Sequence, residues 1–126
     1  MAFSVQGETA RVLIVDGDAP SVQALVQLLG ECGHRETRVA HSAADALRAA
    51  VEFQPAILLL DIELPDMDGY ELATLLHQHP QLQQMRLIAL TDECDHPARE
   101  HARASGFERY MVKPITETAV RGMLER

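Results

Sequence analysis

Five short segments of this chain read as strands. Four of them are apolar runs that stop abruptly at a polar residue, and this pattern limits the folds available more than any other feature. Val12-Leu13-Ile14-Val15 stops at Asp16, Ala56-Ile57-Leu58-Leu59-Leu60 at Asp61, Leu87 to Leu90 at Thr91, and Tyr110 to Val112 at Lys113. A shorter and more polar segment, Glu36 to Ala40, completes the set. Apolar runs of this length without alternation are buried on both faces, as parallel strands are.

Helix-length amphipathic stretches separate the runs. Asp18 is placed to cap the first, with Pro20 in its opening turn and Val22, Leu25, Val26 and Leu29 forming one stripe that ends near Gly33. Ser42 caps a second helix with Ala43, Ala46, Leu47 and Ala50 on one face, and Pro55 closes it. Asp68 and Glu71 have capping-box spacing ahead of a third helix, whose inward residues are expected to be Leu72, Leu75, Leu76 and His79. The stretch after Pro97 predicts a weakly apolar fourth helix with Ala98, Ala102 and Ser105 on one side. A fifth begins at Thr116 and carries Val120, Met123 and Leu124. A strand–helix unit repeated five times predicts an α/β, doubly wound, five-stranded parallel sheet with helices on both faces. Ligands in such sheets sit beyond the carboxyl ends of the strands, so Asp16, Asp61, Thr91 and Lys113 are the first candidates for chemistry.

With 126 residues, 47% of them hydrophobic, the chain suits one domain with a core that needs no staple. Two cysteines, Cys32 and Cys94, lie far apart without a signal sequence, the usage of reduced thiols in a cytoplasm. No apolar run reaches the length of a membrane span. The formal net charge is −8 and aromatic content is 4%, which disfavours nucleic acid and anionic lipid as direct partners.

Two carboxylates brought together repel by roughly 4 kcal/mol at about 4 Å in an effective dielectric near 20. A lysine relieves part of this, and a hard divalent cation relieves more; magnesium typically takes one or two carboxylates plus phosphate and water. A carboxylate can also attack phosphorus to give an acyl phosphate, whose transition state calls for a metal, an ammonium and a hydroxyl. Asp16, Asp61, Lys113 and Thr91 supply those groups. Each alone is an ordinary strand-end residue; jointly, at four strand ends, they favour function.

The run from Leu58 to Leu72 carries the sharpest motif: Asp61, then Pro65, then Gly69, an Asp-x-x-x-Pro-x-x-x-Gly pattern behind an apolar strand. Ala89-Leu90-Thr91 and Tyr110-Met111-Val112-Lys113-Pro114 follow in order. From Arg11 to about Leu124 the chain resembles the receiver domains of two-component signalling, with residues 1–10 as an N-terminal extension and 11–126 as the domain. The resemblance implies strand order 2-1-3-4-5 and a signalling module, not an enzyme beyond its own phosphoryl transfer and dephosphorylation. It implies Asp61 as phosphoacceptor, Thr91 and Lys113 as phosphoryl-stabilising groups, and Thr91 with Tyr110 as the switch. It also implies a cis peptide at Lys113-Pro114, and Mg²⁺ on Asp16, Asp61 and the Glu63 backbone carbonyl, with Asp18 as a further candidate ligand. By the same resemblance, Glu63, Asp92 and Glu93 are expected to tune phosphoryl lifetime. The implied phosphodonor partner is a histidine kinase or a histidine phosphotransfer protein. The implied output partner or domain docks on the face of the fourth helix, fifth strand and fifth helix.

Two residues depart from the pattern. Receivers usually have two adjacent acids after the first strand, and here Gly17 stands second, so weaker magnesium affinity is expected. Asp92 follows Thr91 where a small residue is usual, and its charge should slow access of anionic phosphodonors or shorten the acyl phosphate lifetime. Both favour an alternative, a degenerate receiver that docks a partner without phosphorylation. A third reading takes Asp16-x-Asp18 as the nucleophile motif of haloacid-dehalogenase-type phosphatases, although the chain lacks room for their cap. The approach to strand five through Gly106-Phe107 resembles receivers attached to hybrid kinases. The six histidines, His34, His41, His77, His79, His96 and His101, read as surface residues without a transition-metal site; Met67 and Met123 read as loop and core packing.

Overall fold

The computed structural model describes residues 11–33, 36–92 and 96–125, with side chains omitted for 96–98. The expected extension 1–10, His34, Glu93, Cys94 and the His96 side chain lie outside the described residues. The strands are β1 (Val12–Val15), β2 (Thr37–Ala40), β3 (Ile57–Asp61), β4 (Arg86–Thr91) and β5 (Arg109–Val112). The helices are α1 (Ala19–Glu31), α2 (Ala43–Phe53), α3 (Gly69–Gln78), α4 (His96–Ala104) and α5 (Glu117–Glu125), with a 3₁₀ turn at Pro80–Leu82. The strands form one parallel sheet in the order β2-β1-β3-β4-β5, the doubly wound sheet expected from the sequence.

Alternation along the strands divides the core between two faces. Leu13, Val15, Leu58, Leu60, Leu87 and Ala89 face Ala43, Ala46 and Ala50 of α2, Leu72, Ala73 and Leu76 of α3, and Ala102 of α4. Val12, Ile14, Leu59, Ile88, Leu90 and Met111 face Val22, Leu25 and Leu29 of α1 and Val120 and Met123 of α5. Every residue of β1 and β3 is buried, and each large apolar side chain so buried contributes about 1.5–3 kcal/mol.

The helices start where capping chemistry places them. Asp18 accepts from the Ser21 amide, Ser42 from Asp45, and Thr116 from Ala119. Asp68 caps α3, but its carboxylate accepts from the Tyr70 amide and not from that of Glu71, one position short of the box geometry. Leu75 is a second correction: it is 42% exposed, and Ala73 takes the inward position. The buried stripe of α3 is Gly69, Leu72, Ala73 and Leu76, on the same face of the sheet as α2. His79 ends α3 as its C-cap, and its ring accepts from the Gln81 amide to start the 3₁₀ turn. Ser105 lies past the end of α4, where its hydroxyl donates to the His101 carbonyl. Of the described α4 side chains only Ala102 is buried.

The Pro-x-x-x-Gly spacing has a steric reason. After β3 the chain turns back on itself, with Glu63 bridged antiparallel to Asp68 and the Gly69 amide donating to the Ile62 carbonyl at 3.0 Å. A Cβ on Gly69 would stand 2.4 Å from Ile62 Cα. The helix can start this close to the strand only because residue 69 has no side chain.

Candidate functional site at the strand ends

Parallel register aligns the ends of the central strands. Val15 pairs with Leu60, Asp61 with Leu90, and Thr91 with Val112, so the residues that follow share one edge of the sheet. Lys113 extends from β5 across this edge. Its Nζ lies 2.9 Å from Asp16 Oδ2 and 3.0 Å from Asp61 Oδ2. The other oxygen of each aspartate accepts a backbone amide two residues along: Asp18 N to Asp16 Oδ1 and Glu63 N to Asp61 Oδ1, both at 2.9 Å. All four carboxylate oxygens thus receive one N–H each.

Burial opposes charge on all three groups, and their partners decide the outcome. For Asp16 the Lys113 ammonium and the Asp18 amide outweigh burial, and its carboxyl is held below the ordinary range. For Asp61 burial prevails, aided by the neighbouring Asp16 carboxylate, and its carboxyl is pushed up despite the Glu63 amide and Lys113. Lys113 is raised, because hydrogen bonds to Asp16 and Asp61 overcome its own desolvation. The Asp16 side chain is 0% exposed and that of Asp61 is 13% exposed, so Asp61 is the carboxylate that solvent reaches.

Thr91 is buried, and its carbonyl accepts the Lys113 amide at 2.8 Å. Tyr110 is half-buried against the α2–α3 side of the core, with the Arg99 guanidinium 5.8 Å from its ring centre. The Lys113-Pro114 peptide is cis. A shallow cleft of about 410 Å³ opens over Asp61, lined also by Gly17, Asp18, Glu63, Leu64 and Pro65.

Over residues 12–125 the sequence matches the response regulator receiver domain family. The chain belongs to this family.

Among its relatives, the receiver is 32% identical over 115 residues to the signal transduction histidine-protein kinase BarA of Escherichia coli K12, covering 91% of this chain and 12% of the kinase. It is 34% identical over 109 residues to the transcriptional regulatory protein SrrA of Staphylococcus aureus NCTC 8325, covering 86% of this chain and 44% of that protein. The chain therefore spans less than half the length of either relative. In fold alone it is similar to the receiver domain of a sensor histidine kinase from Pseudomonas aeruginosa PAO1, with a TM-score of 0.84, 23% identity and coverage of 94% and 96% of the two chains. That domain has a magnesium ion coordinated in its active site cleft.

The receiver site brings Asp16, Asp61 and Lys113 together and holds other candidates apart. Asp18 turns one carboxylate oxygen to the Ser21 amide, as a helix cap. Glu63 and Asp92 are exposed, Glu63 at the rim of the cleft and Asp92 with Lys113 at a second opening beside α1. Among the described residues no three acidic, histidine or cysteine side chains gather as a metal cluster. The donor set nevertheless suits a largely hydrated hard cation, since each Asp16 and Asp61 oxygen keeps a lone pair beyond its single N–H.

The contacts of two residues escaped the sequence reading. His41 follows β2, the one strand end not considered, and its Nδ1 donates to the Asp16 carbonyl at 3.0 Å. Asp66 accepts from the Ala43 and Ala44 amides at 2.8 and 3.2 Å, which holds its carboxyl below the ordinary range and ties the loop after β3 to the first turn of α2. An acid two residues before the Asp68 cap gave no sequence signal for a second helix. The expectation of surface histidines needs correction at His77, which is half-buried and donates Nε2–H to the Met85 carbonyl; His101 is exposed as expected, although it stacks on Tyr70 with ring centres 3.7 Å apart.

Proposed function

We propose that this receiver takes a phosphoryl group onto Asp61 from the phosphohistidine of a histidine kinase or histidine phosphotransfer protein, and that it works in the cytoplasm. One observation carries the reading: of the two carboxylates that Lys113 holds, only Asp61 has an exposed edge facing a cleft. A carboxylate oxygen of Asp61 forms the new bond to phosphorus while the bond to the donor's imidazole nitrogen breaks. Lys113 stays beside the reacting carboxylate, and its ammonium stabilises charge on the phosphoryl oxygens. Thr91 at the adjoining strand end is the hydroxyl for the same oxygens. Its inward shift, followed by Tyr110, carries the change to the face of α4, β5 and α5 and its output partner. Asp16, Asp61 and the Glu63 backbone carbonyl would hold Mg²⁺, with Asp18 in reserve; when bound it would neutralise charge on the transferring group. Glu63 and Asp92, at the two openings, are assigned to the tuning of phosphoryl lifetime.

Gly17 favours a second reading. Without an acid there, metal affinity falls, and docking without phosphorylation becomes the competing role. Asp16 as a phosphatase nucleophile is disfavoured by its complete burial. Incubation with acetyl phosphate and magnesium followed by intact mass decides among the three. The proposal expects one added phosphoryl group on the native chain and none on Asp61→Asn. No labelling of either supports docking alone, and labelling that survives Asp61→Asn overturns the assignment.

A further inference from the structure

The receiver carries a formal net charge of −8, yet one groove has the opposite character. Between α4 and β5 a cavity of about 270 Å³ is lined by Arg99, Arg103 and Arg109. Its remaining walls are Ala102, Phe107, Tyr110 and Glu108, and that single carboxylate is paired with Arg86. Ala102 and Phe107 are buried and Tyr110 is half-buried, so the floor is apolar and aromatic beneath a guanidinium rim. Arg103 reaches Glu100 only at 3.5 Å across an exposed face. Arg109 extends the basic rim toward α5, where a Cβ on Gly122 would stand 3.6 Å from its guanidinium.

We propose that this groove binds an acidic segment of a partner protein that presents carboxylates to the three arginines and an apolar or aromatic side chain to Phe107 and Tyr110. Guanidinium groups pair with carboxylates through two parallel hydrogen bonds, and aromatic residues and arginine are enriched where binding energy concentrates. Nucleic acid and anionic membrane offer the same sign of charge over a wide area, where the acidic remainder of the chain repels them. A short acidic segment meets only the rim. The inference deepens the proposed switch, because Tyr110 forms one wall of the groove, and it rests on that reading for its regulation but not for its binding.

The test uses the full chain and a fluorescein-labelled peptide of Asp and Glu flanking a central Phe-Leu pair, read by fluorescence anisotropy. The same peptide with Asn and Gln, and a single-stranded oligonucleotide, serve as controls. The acidic peptide should bind and weaken with added salt, and it should lose about tenfold in affinity when Arg99, Arg103 and Arg109 are changed to Gln. Thermal melting and phosphoryl uptake by intact mass should stay unchanged in that variant, and Arg103→Gln alone, at an exposed site, should show part of the loss. Equal binding by the triple variant, equal binding of the neutral peptide, or tighter binding of the oligonucleotide would each overturn the proposal. Phosphoryl uptake on the native chain without peptide binding sinks this inference and leaves the proposed function standing. Peptide binding without uptake does the reverse.

Discussion

Asp16 and Asp61 share one ammonium. Lys113 Nζ is 2.9 Å from the first and 3.0 Å from the second, yet the carboxyl of Asp16 is lowered and that of Asp61 raised. The cation and hydrogen bonds prevail at the fully buried member of the pair, and burial with repulsion from its neighbour prevails at the other. Asp61, the member that solvent still reaches, is left as the electrostatically unfavoured carboxylate, as the acceptor role proposed for it requires.

The stability of the fold should therefore rise when Asp61 loses its charge. A raised carboxyl binds its proton more tightly folded than unfolded, so its contribution is full at low pH and is lost as pH rises through the raised value. Asp61→Asn should melt a few degrees higher at pH 7, about 4 °C for about 1 kcal/mol at this chain length. The difference should shrink as pH falls below the ordinary carboxylate range, near 4. Thermal melts followed by circular dichroism at several pH values check this; an equal or lower melting temperature at pH 7 contradicts it.

Removing the ammonium has the opposite sign. Lys113→Ala leaves two neighbouring carboxylates without their cation. The expected loss is about 3 kcal/mol, the low end for breaking a buried pair, because the Lys113 side chain keeps 16% exposure. Adding Asp61→Asn should recover a large part of it. Urea titrations of the single and double variants give the coupling, and strictly additive effects would argue against a shared charge cluster.

Gly17→Asp should strengthen magnesium binding. A Cβ there meets the His41 carbonyl at 3.6 Å and Pro65 Cδ at 3.7 Å, ordinary contacts, so the backbone accepts a side chain. One more carboxylate near a divalent cation gains up to about 8 kcal/mol at about 4 Å and a dielectric of about 20, and a tenfold rise in affinity needs only about 1.4 kcal/mol. Calorimetric titration with magnesium chloride measures it. The same variant without magnesium should be less stable than the native chain, since it adds a like charge beside Asp16 and Asp61.

Two glycines should respond in opposite ways to alanine. Gly30 sits in α1 with nothing within 4 Å of its Cβ position, so Gly30→Ala should stabilise by about 0.5–1 kcal/mol. Gly69→Ala drives a methyl into the Ile62 backbone and should cost several kcal/mol, on the order of the larger strain effects seen in packed interiors. Denaturant midpoints rank the two, and a mild effect at Gly69 would mean that the turn after β3 is looser than its geometry indicates.

The sheet was legible because its strands are buried on both faces, and burial leaves an unbroken apolar run that needs no partner to interpret. The four polar terminators were legible for the same reason, since a charge ending such a run has few structural excuses. The inward face of α3 was less so: Ala73 and Leu75 flank the Leu72–Leu76 stripe on opposite sides, and which of them turns in depends on packing that the periodicity does not fix. His41 and Asp66 bond to backbone atoms distant in sequence, the Asp16 carbonyl and the Ala43 and Ala44 amides. Backbone acceptors and donors leave no trace in residue type, so such contacts emerge only from coordinates.

Because Asp66 fastens the loop beyond β3 to the start of α2, that outer helix and the sheet edge carrying Asp61 cannot fray independently. A disturbance of α2 on the far flank, from a sequence change or a bound neighbour, reaches the turn that presents the Glu63 carbonyl without passing through the hydrophobic interior.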